Sequence, residues 1–199
     1  MPQDQIKVSA IVLAAGLSSR MGDINKLLAP IDGVPLIRRV IDQVRQSQAD
    51  PIIVVTGHQE NLIRDALGGC DVLFVHNQHF AEGLSTSLRS GLNAISETID
   101  GALICLGDMP KLTARQIDQL IMTFREHQGK KICVPVYQGR QGNPVLWPSR
   151  YFTAMQTLRG DAGAKKLLGQ HRDQVFEVGM TDDGVVADVD TPAELEELQ

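Results

Sequence analysis

Aromatic side chains make up only 4% of this 199-residue chain, cysteine occurs three times, and no basic run exceeds two residues. Each scarcity excludes something. With 19 Lys and Arg against 24 Asp and Glu, the formal charge is −5, which argues against a broad basic face and hence against a nucleic-acid partner. No apolar stretch approaches the roughly 20 residues of a membrane span. The opening MPQDQIKVSA carries Asp4 and Lys7 before any apolar run, so no signal-peptide core is expected there. Cys70, Cys105 and Cys133 lie far apart, two of them inside apolar runs, and read as reduced core thiols of a cytoplasmic protein.

What is present is an ordinary globular composition, 43% hydrophobic and 22% charged, long enough to bury one sizeable core. One domain over residues 1–199 is expected. Short apolar runs alternate with segments of helical period, the pattern of an α/β sheet with helices on its faces. Strands are expected at 8–14, 52–56, 72–75, 102–106, 132–137 and 144–147, the last crossing the sheet antiparallel. Pro35 opens a helix with Leu36, Ile37, Val40, Ile41 and Val44 on one face, and Ser85 is placed as the cap of another carrying Leu88, Leu92, Ile95 and Ile99. Thr113 with Gln116, and Thr191 with Glu194, have the capping-box spacing.

The densest chemistry lies in IVLAAGLSSRMG, residues 11–22, followed by NKLL. An apolar strand runs there into a loop of small residues carrying Arg20 and leading to Lys26. Such a loop leaves backbone N–H groups open to an anion, with Gly16 and Gly22 free to adopt angles closed to other residues. A tight strand-to-helix turn with two surface cations has the same composition, and on the loop alone the two readings stay level. The spacing matches neither common phosphate pattern. Five residues rather than four separate Gly16 from Gly22, and Asp23 stands where a P-loop has lysine. No G-x-G occurs anywhere, which removes the dinucleotide fingerprint.

In open α/β sheets ligands bind beyond the carboxyl ends of the parallel strands, so the residues that follow each strand should converge. One of them is Asp108, which ends the apolar run ALICLGDMP and reads either as a turn cap or as a Mg2+ ligand. A partner carboxylate is available in VADVDTPAELEEL, where Asp188 and Asp190 alternate before the Thr191 cap. Ser85, Thr86 and Ser87 follow Gly83 and offer hydroxyls for capping or for reading a base. GRQGNP and RGDAGAKK are cationic glycine turns, suited to a second anionic ligand or to a plain surface. His76 and His79 are three apart with no third ligand of convincing spacing.

Together, LAAGLSSRMG with NKLL, EGLSTSLRSGL, LGDMP, GRQGNPVLW, RGDAGAKKLL and DVDTPAEL resemble the MobA-like nucleotidyltransferases over roughly residues 8–198, most closely the molybdenum cofactor cytidylyltransferase branch. The resemblance implies a Rossmann-like three-layer α/β/α fold with a mostly parallel mixed sheet, of the nucleotide-diphospho-sugar transferase type. It implies that Leu13, Ala14, Ala15, Gly16 and Ser18 bind CTP, that Arg20 and Lys26 hold its phosphates, and that Ser85, Thr86 and Ser87 face the base. Asp108 looks like the principal Mg2+ ligand and Asp190 like the second. Ala14-Ala15-Gly16 is similar to the cytidine-preferring LAAG rather than the LAGG of guanylyltransferases. One departure is that Ile24-Asn25 precede Lys26 where the branch often has a proline. The implied reaction joins CMP from CTP to the terminal phosphate of molybdopterin and releases pyrophosphate. Arg20, Lys26 and Asp108 form its catalytic set, and a recipient molybdoenzyme is a further implied partner. Transfer to a different phosphorylated acceptor, and a non-catalytic cofactor carrier, are the alternatives.

Overall fold

The computed structural model describes residues 6–18, 25–162 and 164–198. Strand β1 (Val8–Ala14) leads to a short hairpin, β2 (Pro30–Ile31) with β3 (Val34–Pro35), and then to helix α1 (Leu36–Gln46). Next come β4 (Ile52–Thr56), α2 (Glu60–Ala66), β5 (Leu73–His76), α3 (Leu84–Asn93), β6 (Gly101–Leu106) and α4 (Ala114–Glu126). The chain ends with β7 (Ile132–Tyr137), β8 (Arg140–Gln141), β9 (Val145–Pro148), α5 (Phe152–Gln156), α6 (Lys165–Gln170), β10 (Val175–Gly179) and α7 (Pro192–Glu196). Among the described residues no helix is long and apolar enough to cross a membrane.

Eight strands form one sheet in the order β10-β7-β9-β6-β1-β4-β5, with β8 paired to β7. The β6, β1, β4 and β5 block is parallel, and β9 runs antiparallel beside both β6 and β7, as the turn-rich 137–148 segment predicts. The chain steps from β1 outward to β4 and β5, then returns to pair β6 on the other side of β1. That reversal opens a crevice at the carboxyl ends of β1 and β6, where this class of sheet binds its ligands.

Strand β1 is buried along its whole length, which explains its unbroken apolar run. Its alternate residues serve two layers. Val8, Ala10, Val12 and Ala14 join the core under α1 and α4, whereas Ile11, Leu13 and Ala15 join the core under α3 and α5. The five apolar residues assigned to one face of α1 are all buried, and both capping boxes, at Thr113 and Thr191, are formed.

Helix α3 corrects the sequence reading at both ends. It begins at Leu84 with Gly83 as N-cap, so Ser85 sits inside the first turn, and it stops at Asn93, short of Ile95 and Ile99. Glycine is required at the cap. Its φ of 108° suits no other residue well, and an added Cβ would lie 2.7 Å from the carbonyl carbon of Gly160. The hairpin around Asp32-Gly33, both with positive φ, carries an Asp-Gly turn signal that the strand reading passed over.

Candidate functional site

The loop after β1 lines a cavity of about 420 Å³ with Ala15, Gly16, Leu17 and Ser18. The residue in the left-handed region is Ser18, at φ 52°, and not Gly16. A side chain at Gly16 would meet nothing within 4 Å, so its smallness keeps the cavity open rather than permitting a turn. Arg20 and Gly22 lie outside the described residues.

Ser18 turns the loop back toward Lys26, and its Oγ accepts the Lys26 N–H at 3.2 Å. Asn25 caps the one-turn segment Lys26–Leu28, its Oδ1 accepting the Leu27 N–H at 3.1 Å. Asn25 fixes this position by a side-chain hydrogen bond. The backbone of Lys26 is thus anchored by bonds that do not involve its four-carbon stem.

That stem reaches across the crevice. Lys26 Nζ donates to Asp108 Oδ2 at 2.5 Å, to the Val189 carbonyl at 2.7 Å and to Asp190 Oδ1 at 3.1 Å. Asp108 stands just beyond β6, and its backbone carbonyl accepts the Val189 N–H at 3.0 Å. This bond stitches the segment before α7 to the strand end, bringing together three residues from the first, middle and last parts of the chain. Burial would lower the Lys26 ammonium, but the Asp108 and Asp190 carboxylates outweigh it and hold Lys26 above its ordinary value. Burial pushes the Asp108 carboxyl above the usual range; Lys26 pulls it back, and the charge of Asp188 pushes it up again.

Asp108 Oδ1 is buried and has no hydrogen-bond partner among the described residues. A crowded carboxylate with one unsatisfied oxygen, beside a second carboxylate, fits a divalent cation. Among the described residues no three His, Cys, Asp or Glu side chains form a ready cage. Mg2+ suits this, because it commonly takes one or two carboxylates and completes its shell with water and substrate phosphate.

The three hydroxyls in the first turn of α3, Ser85, Thr86 and Ser87, separate. Ser87 lines the cavity. Thr86 Oγ1 lies 2.9 Å from the carbonyls of His79 and Gly83 and accepts from Asn77 Nδ2 at 2.8 Å, so it is engaged internally. Ser85 Oγ is buried without a partner among the described residues and borders neither cavity discussed here. Asn77, which the sequence reading did not single out, organises this corner; its Nδ2 also reaches Ser87 Oγ at 3.0 Å. Leu13 borders the cavity, whereas Ala14 is buried in the core on the opposite face of the sheet.

A second cavity, of about 1070 Å³, adjoins the first and shares Leu13, Leu84, Leu106 and Asp161 with it. Strand residues Ile104, Val134, Val145 and Trp147 line it, with Val175 and Phe176 of β10 and Leu168 of α6. Its polar groups are Asn143, Gln141, Arg172, Glu177 and Asp188. Two of the cationic turns therefore do meet here: Gln141, Gly142 and Asn143 come from GRQGNP, and Asp161 and Ala164 from RGDAGAKK. Asp161 Oδ1 accepts the Leu84 N–H at 3.3 Å and ties the second turn to the start of α3. His76 and His79 pair separately with Glu60 and Glu82, each at 2.8 Å.

A mostly parallel sheet with a small-residue loop at its switch point and a lysine on paired carboxylates is an arrangement suited to binding phosphate groups. Comparison with known proteins agrees: the MobA-like NTP transferase domain matches residues 10–175, and the chain belongs to that family. The bifunctional protein GlmU of Symbiobacterium thermophilum is 34% identical over 121 residues, covering 60% of this chain and 25% of that protein. The chain spans 25–38% of the length of the curated relatives it matches. A Rv0371c homologue from Mycobacterium sp. strain JC1 superposes with a TM-score of 0.83 at 30% identity, over 96% of this chain and 94% of that one. Rv0371c from Mycobacterium tuberculosis H37Rv, solved in complex with manganese, gives 0.79 at 28% identity, over 96% and 97% of the two chains.

Proposed function

We propose that the protein transfers CMP from CTP to the terminal phosphate of molybdopterin, with pyrophosphate as the other product. The observation that carries this reading is the lining of the smaller cavity by Lys26, Asp108 and Asp190 together with Ala15 and Gly16 of the loop, beside a large and partly apolar second cavity that shares Leu13, Leu84, Leu106 and Asp161 with it. CTP occupies the smaller cavity, with its phosphates toward Lys26 and the loop N–H groups and Arg20 as a second phosphate cation. The larger cavity takes the acceptor, whose ring system suits the Leu168 and Phe176 walls and whose anionic end suits Arg172 and Asn143.

An acceptor phosphate oxygen attacks the α-phosphorus; the new P–O bond forms as the bond to the β-phosphate breaks, and pyrophosphate leaves. Phosphate oxygens are nucleophilic at neutral pH, so no protein nucleophile is needed. Asp108 and Asp190 would hold Mg2+, which supplies charge neutralisation at the α-phosphate and the leaving group. The chain contributes mainly positioning and electrostatics, as is general for phosphoryl-group chemistry. The manganese complex of a structural neighbour supports a divalent cation in this role.

Pyrophosphate release, measured with each nucleoside triphosphate with and without molybdopterin, tests the reading. Release with CTP and molybdopterin together, and not with either alone, is the expected result. Release with CTP and a sugar or alditol phosphate instead would keep the class and replace the acceptor.

A further inference from the structure

An ammonium group has three N–H donors. In this structure all three of Lys26 are taken up by protein oxygens, those of Asp108, Val189 and Asp190. None is left for a phosphate. Lys26 also stands against the two carboxylates that would hold the metal, its side chain only 15% exposed. A dication and an ammonium cannot both lie against one carboxylate pair without strong repulsion at such short range.

We propose that Lys26 is the resident counter-ion of the Asp108–Asp190 pair and is exchanged for a divalent cation, so that its ammonium reaches the nucleotide phosphates only after the metal has taken its place. The inference rests on the metal reading of these carboxylates. Three features favour exchange. The anchored backbone of Lys26 leaves the side chain as the only part that must move. Its stem is flexible and its charge compact, so it can turn within the cavity that Gly16 keeps open. Holding the largely buried Asp108 carboxylate close to that of Asp190 with no cation would be costly, and Lys26, within 2.5 Å of one and 3.1 Å of the other, offsets that cost in the absence of metal. The site therefore keeps a cation against its carboxylates when empty, and it makes its phosphate-gripping ammonium available in step with the metal that prepares the phosphate for transfer.

The test uses Mn2+ alone, without nucleotide, and follows the free-ion electron paramagnetic resonance signal on titration into wild type, Lys26→Met and Asp108→Asn. Removing the competitor should tighten Mn2+ binding in Lys26→Met by about tenfold or more, the scale of one displaced ion pair. Asp108→Asn should weaken it by at least that factor. A residue that merely helps to build the site would give the opposite sign for Lys26→Met. Binding that is unchanged or weaker in Lys26→Met, with wild type binding normally, overturns the exchange and leaves the metal reading standing. No Mn2+ binding to either protein overturns the metal reading and the exchange with it. Binding to Lys26→Met but not to wild type supports exchange. A second readout needs no variant: acetylation of Lys26 by an N-hydroxysuccinimide ester, followed by mass spectrometry, should run several-fold faster with Mn2+ than without. An unchanged rate would again count against exchange.

Discussion

The two faces of the sheet are built from alternate residues of the same strands, and only one of them closes. Under α1 and α4, residues such as Val12, Val54, Cys105 and Cys133 are fully buried against Ile41, Ile117 and Leu120. On the other face α3 and α5 cover Ile11, Ile53 and Val55, and Val134 and Trp147 are buried as completely, but beside Ile104 and Val145 the layer leaves the larger cavity, with Leu168 and Phe176 on its more exposed walls. The contrast teaches that an apolar strand residue can be core and ligand wall at once. Periodicity reports which face it points to and not whether that face is filled.

The closed face can be challenged through its thiols, with the largest effect expected of any measurement here. Burial pushes the Cys133 thiol up to about 12 and the Cys105 thiol higher still. At pH 8 a thiol of that kind is ionised to only about 10⁻⁴, and the thiolate is the reactive form. Maleimide labelling should therefore modify the partly exposed Cys70 first and the other two slower by on the order of 10³. Labelling of all three at one rate would mean that the closed face opens.

The open face is challenged at its edge by Asp108→Ala. Turnover should fall by about 10² or more, as when a key electrostatic stabiliser is lost. The melting temperature should move little, since Lys26 keeps the Val189 carbonyl and Asp190. Near-normal turnover in a folded Asp108→Ala protein would take the chemistry away from this crevice.

A paired truncation compares the faces directly. Ile41 is fully buried on the closed side, and Ile41→Ala should cost about 2–5 kcal/mol in urea denaturation. Leu168 is half-buried on the cavity wall, so Leu168→Ala should cost about 1 kcal/mol or less and appear instead in the acceptor KM. Equal losses would erase the distinction between a filled layer and an open one.

Much of this was legible in advance, for stated reasons. β1, β4 and β7 fall at the expected residues because strands buried on both faces read as unbroken apolar runs bounded by turns. β10 escaped because it is a partly exposed edge strand in which Val178 alone is fully buried. In the site, Lys26, Asp108 and Asp190 could be found because each follows a strand or precedes a cap. The Val189 carbonyl could not, since a backbone acceptor carries no residue signature and lies 163 positions from its donor. Asn77 and Asp161 were missed for a related reason: each acts through a hydrogen bond that only the folded chain creates.

The smallest effect probes the floor of the smaller cavity, at Ala15. Ala15 is 2% exposed, and its methyl lies in a corner so tight that a Cβ added to Gly57 would come within 2.8 Å of it and 2.6 Å of Phe80 Cβ. Loss of that methyl in Ala15→Gly deepens the floor of the smaller cavity and frees the backbone of the loop. A single methyl in a binding pocket discriminates by about 10–200-fold at most, so the ratio of kcat/KM for CTP over GTP should fall by roughly tenfold rather than reverse outright. Stability should fall modestly, because a buried methyl is worth about 0.8 kcal/mol. If selectivity is unaltered while stability drops as expected, the methyl is core and the base is read elsewhere, with Ser87 the next hydroxyl to remove, because it borders the same cavity and Asn77 already holds it in place.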